Sequence, residues 1–370
     1  MKKKTLFLTL AVLGAVACNK NAAPSQTPED ALPTGAITVK VSSEDATKAA
    51  AISDYQINSV QVFVFDKTGG RLETDTYVGG LSDVKQSHSV TLNTLTGNKI
   101  VYALLNHPRM YLKSGSAGEE LSSFEGTLTD LKENTPTNLV MSGRAEITVV
   151  DANQNGTVVE PQTMDIYVKR LASQIKLASV TPNFAGTSLE GATFSVKKIY
   201  LKNVVGKSPV GVQGNTASAK STVLPYVLST DQLSDNSNWY NKMKEESGAP
   251  ACVSDECNLT GTALSGMSRM LFTYPNATSA DNNGSGFSAR HTRLVIKAHV
   301  TKTDITDKDT YYVLDLPVLV ANNVYTINNV KVSMLGKDED NDDSDIDVGR
   351  ITPSIKVDPW SGEATLNYEY

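Results

Sequence analysis

Cys18 is the residue of this sequence whose surroundings point most directly to a chemical modification. It follows Ala15-Val16-Ala17 at the end of an apolar stretch that begins after three lysines. A basic start, a short apolar region and small residues before a cysteine are typical of a bacterial lipoprotein signal. In this interpretation Cys18 becomes the first mature residue and its sulfur carries lipid. The alternative is an ordinary secretory signal with a chance cysteine, and the stretch is too short to persist as a membrane-spanning helix.

The other two cysteines, Cys252 and Cys257, lie in a polar part of the chain. In an oxidising compartment their spacing would allow a disulfide that closes a small surface ring. Free thiols are the equally weighted alternative. We expect no metal there, because two further ligands at suitable spacing are missing.

Two segments rich in oxygen side chains invite comparison with calcium sites. Residues 151–156 place oxygen side chains at positions one, three and five and glycine at six, but Gln162 at position twelve cannot supply a bidentate carboxylate. An Asn-Gly turn between two strands explains the same letters. Residues 338–347 hold seven acids, and such a run repels itself and stays solvated. We therefore expect a hairpin at residues 151–156, an extended linker at residues 338–347 and no metal ion at either.

The sequence gives little support to catalysis. It has no HExxH arrangement, no GxSxG elbow and no glycine-rich phosphate loop after a strand. The net charge of −6 leaves no basic patch for nucleic acid. We expect no catalytic residue, no cofactor and no nucleic-acid partner. None of the four histidines, His88, His107, His291 and His299, sits in an HExxH arrangement.

The elements that position these residues are predicted to be strands. Charged residues are only 20% of the chain, which is low for a helical protein. Short alternating runs separated by Gly, Asn and Asp turns favour β-sandwiches over an α/β fold, and the length favours two domains. Short helices are predicted within 119–133 and near 238–244, and residues 213–290 are predicted to be polar and rich in loops. The predicted strands are Ile37 to Val41, Val60 to Phe65, Ser89 to Leu95, Lys99 to Leu105, Asn138 to Met141, Ala145 to Val150, Ile166 to Val168, Gln174 to Leu177, Phe194 to Val204, Arg293 to Val300, Thr310 to Leu314 and Tyr325 to Met334.

The last eleven residues alternate between an apolar and a polar side without a break. Chain ends are usually unpatterned, so a patterned strand that reaches the final residue needs a groove. That groove belongs either to its own subunit or to a neighbour. The apolar side carries Trp360, Leu366, Tyr368 and Tyr370, with Ile355 and Val357 just upstream.

Several motifs in order along the chain resemble one family, the fimbrillins, which are the type V pilus subunits of Bacteroidales. The resemblance covers roughly residues 1–370, although 213–290 matches poorly. The motifs that carry it, after the lipoprotein signal, are Val60 to Asp66, Lys99 to Asn106, Val168 to Ser173, Pro317 to Leu319, Asn322 to Ile327 and Ile355 to Trp360.

The resemblance implies an all-β fold of two tandem transthyretin-like β-sandwich domains with short helices in loops. Residues 1–18 would be the lipoprotein signal, and 19–48 a propeptide that contains the leading strand, Ile37 to Val41. Residues 49–165 would form the N-terminal domain. Residues 166–370 would form the C-terminal domain, with a donor strand at about 351–370.

The resemblance also implies a function. A lipoprotein precursor would reach the outer membrane, where a trypsin-like protease removes the N-terminal segment. The vacated groove would accept the C-terminal strand of another copy or of a related pilin, building a surface fimbria that supports adhesion to a host or bacterial receptor. Cleavage is expected between Lys48 and Ala49, since Lys48 is the only Lys or Arg between Val41 and Val60. Better-known members are cut after an Arg. The implied donor residues are Ile355, Val357, Trp360, Leu366, Tyr368 and Tyr370.

Two other functions stay open. The protein would be a surface lipoprotein that binds a glycan or host protein if the C-terminal strand folds back and residues 36–42 stay in place. It would be a tip or anchor subunit if it ends the fibre.

Lys48→Ala is expected to accumulate the lipidated precursor, because it removes the predicted cleavage residue. N-terminal sequencing of surface material measures this. Material that still begins at Ala49 would contradict the assigned site.

Overall fold

The computed structural model describes residues 33–43, 56–81, 87–112, 120–135, 137–154, 157–213, 224–240, 254–256, 269–278, 289–338, 357–359 and 367–369. These residues hold 26 strands and two short α-helices, so the expected all-β class is confirmed. The elements up to residue 170 are β1 (Thr34–Ser43), β2 (Val60–Asp66), β3 (Leu72–Val78), β4 (Ser87–Leu95), β5 (Gly97–Leu105), α1 (Glu120–Gly126), β6 (Leu128–Asp130), β7 (Met141–Val149), β8 (Asn153–Gln154), β9 (Thr157–Val158) and β10 (Gln162–Arg170). The later elements are β11 (Ser173–Leu177), β12 (Val180–Pro182), β13 (Thr193–Lys202), β14 (Val204–Val205), β15 (Lys207–Pro209), β16 (Val212–Gln213), β17 (Leu224–Pro225), α2 (Thr230–Leu233), β18 (Trp239–Tyr240), β19 (Ser254–Glu256), β20 (Arg269–Thr273), β21 (Arg293–Lys302), β22 (Thr306–Asp315), β23 (Asn323–Ile327), β24 (Asn329–Val332), β25 (Val357–Pro359) and β26 (Asn367–Glu369).

Most predicted strands are confirmed, and the departures have physical reasons. β3 is not predicted because nearly all of its residues are half-buried, which blurs the alternation. The helix predicted near 238–244 is wrong at its start, because Trp239 and Tyr240 form β18. The Trp239 indole donates to the Leu233 carbonyl at 2.8 Å, and the Tyr240 hydroxyl donates to Asp130 Oδ1 at 2.6 Å. These tertiary bonds hold the segment extended.

The first sandwich is a seven-stranded sheet folded over one core. Its order is β3-β2-β5-β7-β10-β1-β4, and among these described strands the only parallel pairing joins β1 to β10. The β10-β1-β4 part faces the β2-β5-β7 part. The core between them contains Ile37, Val39, Val41, Val90, Leu92, Met164, Ile166 and Val168 on one side and Val60, Val62, Val64, Val101, Ala103, Leu105, Met141, Ala145 and Val149 on the other.

The second sandwich stacks the sheet β20-β11-β23-β25 on the sheet β19-β13-β21-β22. Strands β12, β24 and β26 form a third sheet beside them. The predicted domain boundary between residues 165 and 166 falls inside β10, and its position stays a prediction. The core of this half includes Ile175, Leu177, Phe194, Val196, Ile199, Leu201, Leu294, Ile296, Val300, Tyr312, Tyr325 and Ile327.

An aromatic cluster joins the first sandwich to the second core. Phe63 and Phe65 of β2 and Tyr102 of β5 project from the outer face of the sheet and surround Phe124 of α1. Their ring centroids lie 4.7, 5.5 and 4.9 Å, respectively, from that of Phe124. All four rings belong to the same core as the second sandwich. Burial, aided by the hydrogen bond to the Glu125 carboxylate, raises the pKa of the Tyr102 hydroxyl above its usual range.

The strands on either side of Asn155-Gly156 pair as the predicted hairpin requires, and the two turn residues lie outside the described residues. β8 pairs antiparallel with β9, and Asp151 Oδ1 accepts from the Asn153 amide at 2.9 Å. Across the described ranges, the structure contains no group of three or more His, Cys, Asp or Glu residues that could hold a metal ion. Within the same ranges, no helix has the length and apolar character needed to span a bilayer.

Phe124→Ala should lower the free energy of unfolding by about 3–5 kcal/mol, because it empties a fully buried site enclosed by three rings. Chemical denaturation of the purified chain measures the change. Ser123→Ala, at the exposed neighbouring position, is the control and should stay within about 0.5 kcal/mol. Equal losses for the two variants would contradict the assigned packing of α1.

Candidate functional site

The leading strand predicted from the sequence is β1, and it fills a slot in the first sandwich. It pairs parallel with β10 over seven residue pairs, from Ile37–Gln162 to Ser43–Val168. On its other side it pairs antiparallel with β4 over nine, from Thr34–Leu95 to Ser42–Ser87. We call this slot the β1 seat; it is bounded by β4, by β10 and by the end of β7 at Val149 and Val150.

The alternation of β1 explains how it binds in the seat. Ile37, Val39 and Val41 point into the core and are fully buried. Val and Ile suit a half-buried strand, because their branched side chains pack well on a pleated surface. Burying three such side chains gives a gross gain of about 5–9 kcal/mol. On the outer face, the hydroxyls of Thr38 and Thr91 are hydrogen-bonded at 2.9 Å.

The end of β7 closes the seat where β1 begins. A Cβ at Gly35 would lie 2.2 Å from the carbonyl oxygen of Val150 and 2.6 Å from Cγ1 of Val149. The Thr34 carbonyl also accepts from the Ala152 amide at 2.9 Å. The backbone therefore approaches β1 too closely for any side chain at position 35.

A buried ion pair holds the β4 wall of the seat without help from β1. Lys99 Nζ lies 2.7 Å from Glu73 Oε1, with both side chains at most 4% exposed. Glu73 Oε2 accepts from the Thr94 hydroxyl at 2.6 Å and from the Leu95 amide at 3.3 Å. Removing either charge would leave its partner buried and uncompensated, which costs several kcal/mol. β3, β4 and β5 are therefore joined by a bond network that excludes the leading strand.

The predicted C-terminal strand is described in two short pieces, both paired within the same chain. β25 runs antiparallel to β23, placing Val357 beside Tyr325, and β26 runs parallel to β24, placing Tyr368 beside Val330. With β1 in its seat, this is the folded-back arrangement that the sequence analysis assigns to a non-polymerising lipoprotein. An uncleaved subunit would also hold its leading strand. The other donor candidates, Ile355, Trp360, Leu366 and Tyr370, lie outside the described residues.

Several predicted site residues lie outside the described part of the chain. These are Cys18, Lys48, Ala49, Cys252 and Cys257. The roles assigned to them from the sequence stay predictions.

Two histidines with carboxylate partners lie away from the β1 seat. His107 Nε2 is 3.0 Å from Glu133 Oε2. Burial raises the pKa of Glu133, but hydrogen bonds from His107 and Thr129 outweigh it, and the net pKa is lowered. His299 contacts Asp307 and Asp309 on the exposed face of β21 and β22, at 3.0 and 2.9 Å.

Sequence reasoning misses the parts of the seat that are not apolar. Gly35 carries no signal of its own except that it shares the parity of Ile37 and Val39. Lys99 and Glu73 are charged residues, which a sequence pattern assigns to the surface. Only the tertiary structure, in which β2 pairs with both β3 and β5, shows that they meet.

Comparison with known proteins agrees with this fold. Residues 35–192 match the family model of the major fimbrial subunit protein (FimA). A putative fimbrium tip subunit, Fim1C, of Parabacteroides distasonis is 30% identical over 225 residues, which span 55% of this chain and 58% of that relative. The matched region is thus somewhat more than half the length of the curated relative.

Solved structures share the architecture at low sequence identity. A putative cell adhesion protein from Parabacteroides distasonis superposes with a TM-score of 0.60 at 15% identity, covering 89% of this chain and 99% of that one. A fimbrilin (FimA) from Porphyromonas gingivalis superposes with a TM-score of 0.54 at 16% identity, covering 90% and 97%. These similarities establish the β-sandwich fold.

The chain is thus similar to a class of proteins, that of fimbrial subunits and cell adhesion proteins. Residues 35–192 are similar to the FimA family, and the predicted resemblance to the fimbrillins is confirmed. The family consists of structural subunits of the cell-surface fimbrium, not of enzymes.

Ile37→Ala should lower the free energy of unfolding of the uncleaved chain by about 2–5 kcal/mol, because it opens a cavity beneath β1. Lys40→Ala, on the exposed face of the same strand, should change it by less than about 0.5 kcal/mol. Denaturant titration of both variants compares them. Equal effects would show that β1 does not bind through its apolar face.

Proposed function

We propose that the protein is a structural subunit of a surface fimbria and polymerises by strand exchange after its N-terminal segment is removed by proteolysis. The observation that supports this most strongly is the position of β1. A strand near the chain's beginning fills an interior place between two strands, β4 and β10, and buries three apolar side chains completely.

The topology allows β1 to leave without unthreading the rest of the fold. β1 ends at Ser43, and the next described strand, β2, begins at Val60 in the opposite part of the sandwich. Cleavage between Lys48 and Ala49 would cut the only covalent link from β1 to the remaining strands. Noncovalent contacts alone would then hold the leading strand.

An emptied seat would favour the uptake of another strand. It would expose the unpaired backbone of β4 and β10 and an apolar trough between them, and an added strand satisfies both. The six apolar donor residues proposed from the sequence would give a gross gain on the order of 10 kcal/mol, offset in part by the cost of ordering the tail. Because the contact is head-to-tail and does not close into a ring, repetition makes a filament.

The C-terminal strand has two alternative places. Among the described residues, β25 and β26 each lie at the edge of a sheet with one neighbouring strand, β23 and β24. The β1 seat has a strand on either side, β10 and β4. A tail in a neighbour's seat would therefore have backbone partners on both sides.

The remaining parts of the proposal follow from the family resemblance. Cys18 would anchor the precursor to the outer membrane through lipid, and a trypsin-like protease would release the mature subunit. Related pilins and a host or bacterial surface receptor would be further partners. A disulfide between Cys252 and Cys257 and the two-domain division of the chain are also proposals.

A tip subunit is the second candidate function. It is favoured by the 30% identity to a relative described as a putative fimbrium tip subunit. A tip would share the fold and the β1 seat but would occupy one end of the fibre instead of its shaft.

Deletion of residues 351–370 tests the proposal in fimbriated cells. We expect an exported, folded protein that is absent from fibre shafts, because the donor strand is missing. Immunogold electron microscopy of the wild-type chain separates the two candidates: labelling along shafts supports the stalk role and labelling at one end supports the tip role. Shafts that still contain the deleted chain in normal amounts would contradict strand donation.

A further inference from the structure

Position 35 of the β1 seat admits only glycine. A side-chain carbon placed there would lie 2.2 Å from a backbone atom, the carbonyl oxygen of Val150, and 2.6 Å from Cγ1 of Val149. Contacts below 3 Å with backbone cannot be relieved by rotating a side chain. Any strand that extends this far along the seat therefore needs a glycine there.

The end of β7, which contacts position 35, is held by bonds that do not involve β1. The Val150 amide donates to Gln162 Oε1 at 2.8 Å, and Gln162 Nε2 donates to the Thr148 carbonyl at 3.1 Å. Val149 also pairs with Gly97 of β5 and is only 2% exposed. The end of β7 is thus tied to β10 and β5, and it would keep its position after β1 leaves.

The tail at 351–370 contains a single glycine, Gly362, and it lies on the apolar side of the alternation. Placing Gly362 at position 35 sets Ser361 to Tyr368 on Thr34 to Val41 with the same strand direction. The outward residue Thr365 then coincides with Thr38. The inward residues Ala364, Leu366 and Tyr368 replace Ile37, Val39 and Val41.

Other registers conflict with the seat. A shift by two residues would place Trp360 or Ala364 against the Val150 carbonyl. A shift by one residue would turn the polar side of the tail into the core, since side chains alternate with a period of two. The upstream segment fails in the same way, because setting Ile355 at position 39 or 37 brings Ile351 or Pro353 to position 35.

We infer that Gly362 of one copy takes the place of Gly35 in the next copy, so that the tail follows the register of β1 residue for residue. This inference rests on the proposed strand exchange and adds to it the register and the residue that sets it. The partner is a second copy of this chain, or a related subunit with glycine at the equivalent place of its tail. In the joined pair, Thr365 meets Thr91 as Thr38 does, where the hydroxyls are 2.9 Å apart.

The first test compares Gly362→Ala with Glu363→Ala in cells that form fibres. A single added methyl at position 362 should reduce incorporation into shafts about tenfold or more, since that corresponds to a cost of only about 1.4 kcal/mol. Glu363→Ala, on the outward side, should incorporate normally. Normal incorporation of Gly362→Ala would overturn the register while leaving strand exchange intact.

The second test reads the register by cysteine cross-linking in the full chain carrying Cys252→Ser and Cys257→Ser. Thr365→Cys combined with Thr91→Cys should give intersubunit disulfide ladders on non-reducing gels. Thr365→Cys combined with Ser89→Cys or Asn93→Cys, two positions away on β4, should not. Ladders at a shifted position would overturn the register. Fibres without a ladder at any of the three positions would overturn the exchange into the β1 seat itself, and the inference with it.

Discussion

The seating of β1 between β4 and β10 is the interaction on which the first sandwich depends. Three fully buried side chains and two backbone ladders hold it, and one of those ladders is the only parallel pairing among the described strands of the seven-stranded sheet. Ile37, Val39 and Val41 complete the core that the β2-β5-β7 layer covers from the other side. Without an occupant in this place, that core would open to water along the length of a strand.

The walls of the seat are also held by side-chain bonds that do not involve β1. Lys99 and Glu73 join β4 to β3 and β5 through a buried ion pair, and Gln162 joins the end of β7 to β10. A slot that keeps its shape presents a preorganised surface, and preorganisation lowers the free-energy cost of binding a strand. The same rigidity makes the seat selective, since a crowded backbone cannot adjust to a wrong side chain at position 35.

β1 and the described pieces of the C-terminal tail are in unequal environments. β1 lies between two strands of the first sandwich, whereas β25 and β26 each have one neighbouring strand among the described residues. Under the proposed strand exchange, the tail would move from an edge position to a place between two strands. The aromatic cluster around Phe124 holds the two halves of the molecule in contact through residues that belong to neither β1 nor the C-terminal tail.

The sequence by itself determined the local features. The alternation of Ile37-Thr38-Val39-Lys40-Val41 predicted a strand and its buried face, Val60 to Phe65 predicted a core strand, and Asn155-Gly156 predicted a hairpin. These predictions succeed because alternation and turn formation follow from covalent geometry within a few residues.

Only the tertiary structure decided which strands meet. That β1 pairs with a strand some 125 residues later, that Lys99 is buried against Glu73, and that Gly35 faces the carbonyl of Val150 all depend on contacts between distant segments. The half-buried β3 was missed for the same reason. Its environment comes from strands that are neighbours in space, so its own sequence does not alternate between apolar and polar residues.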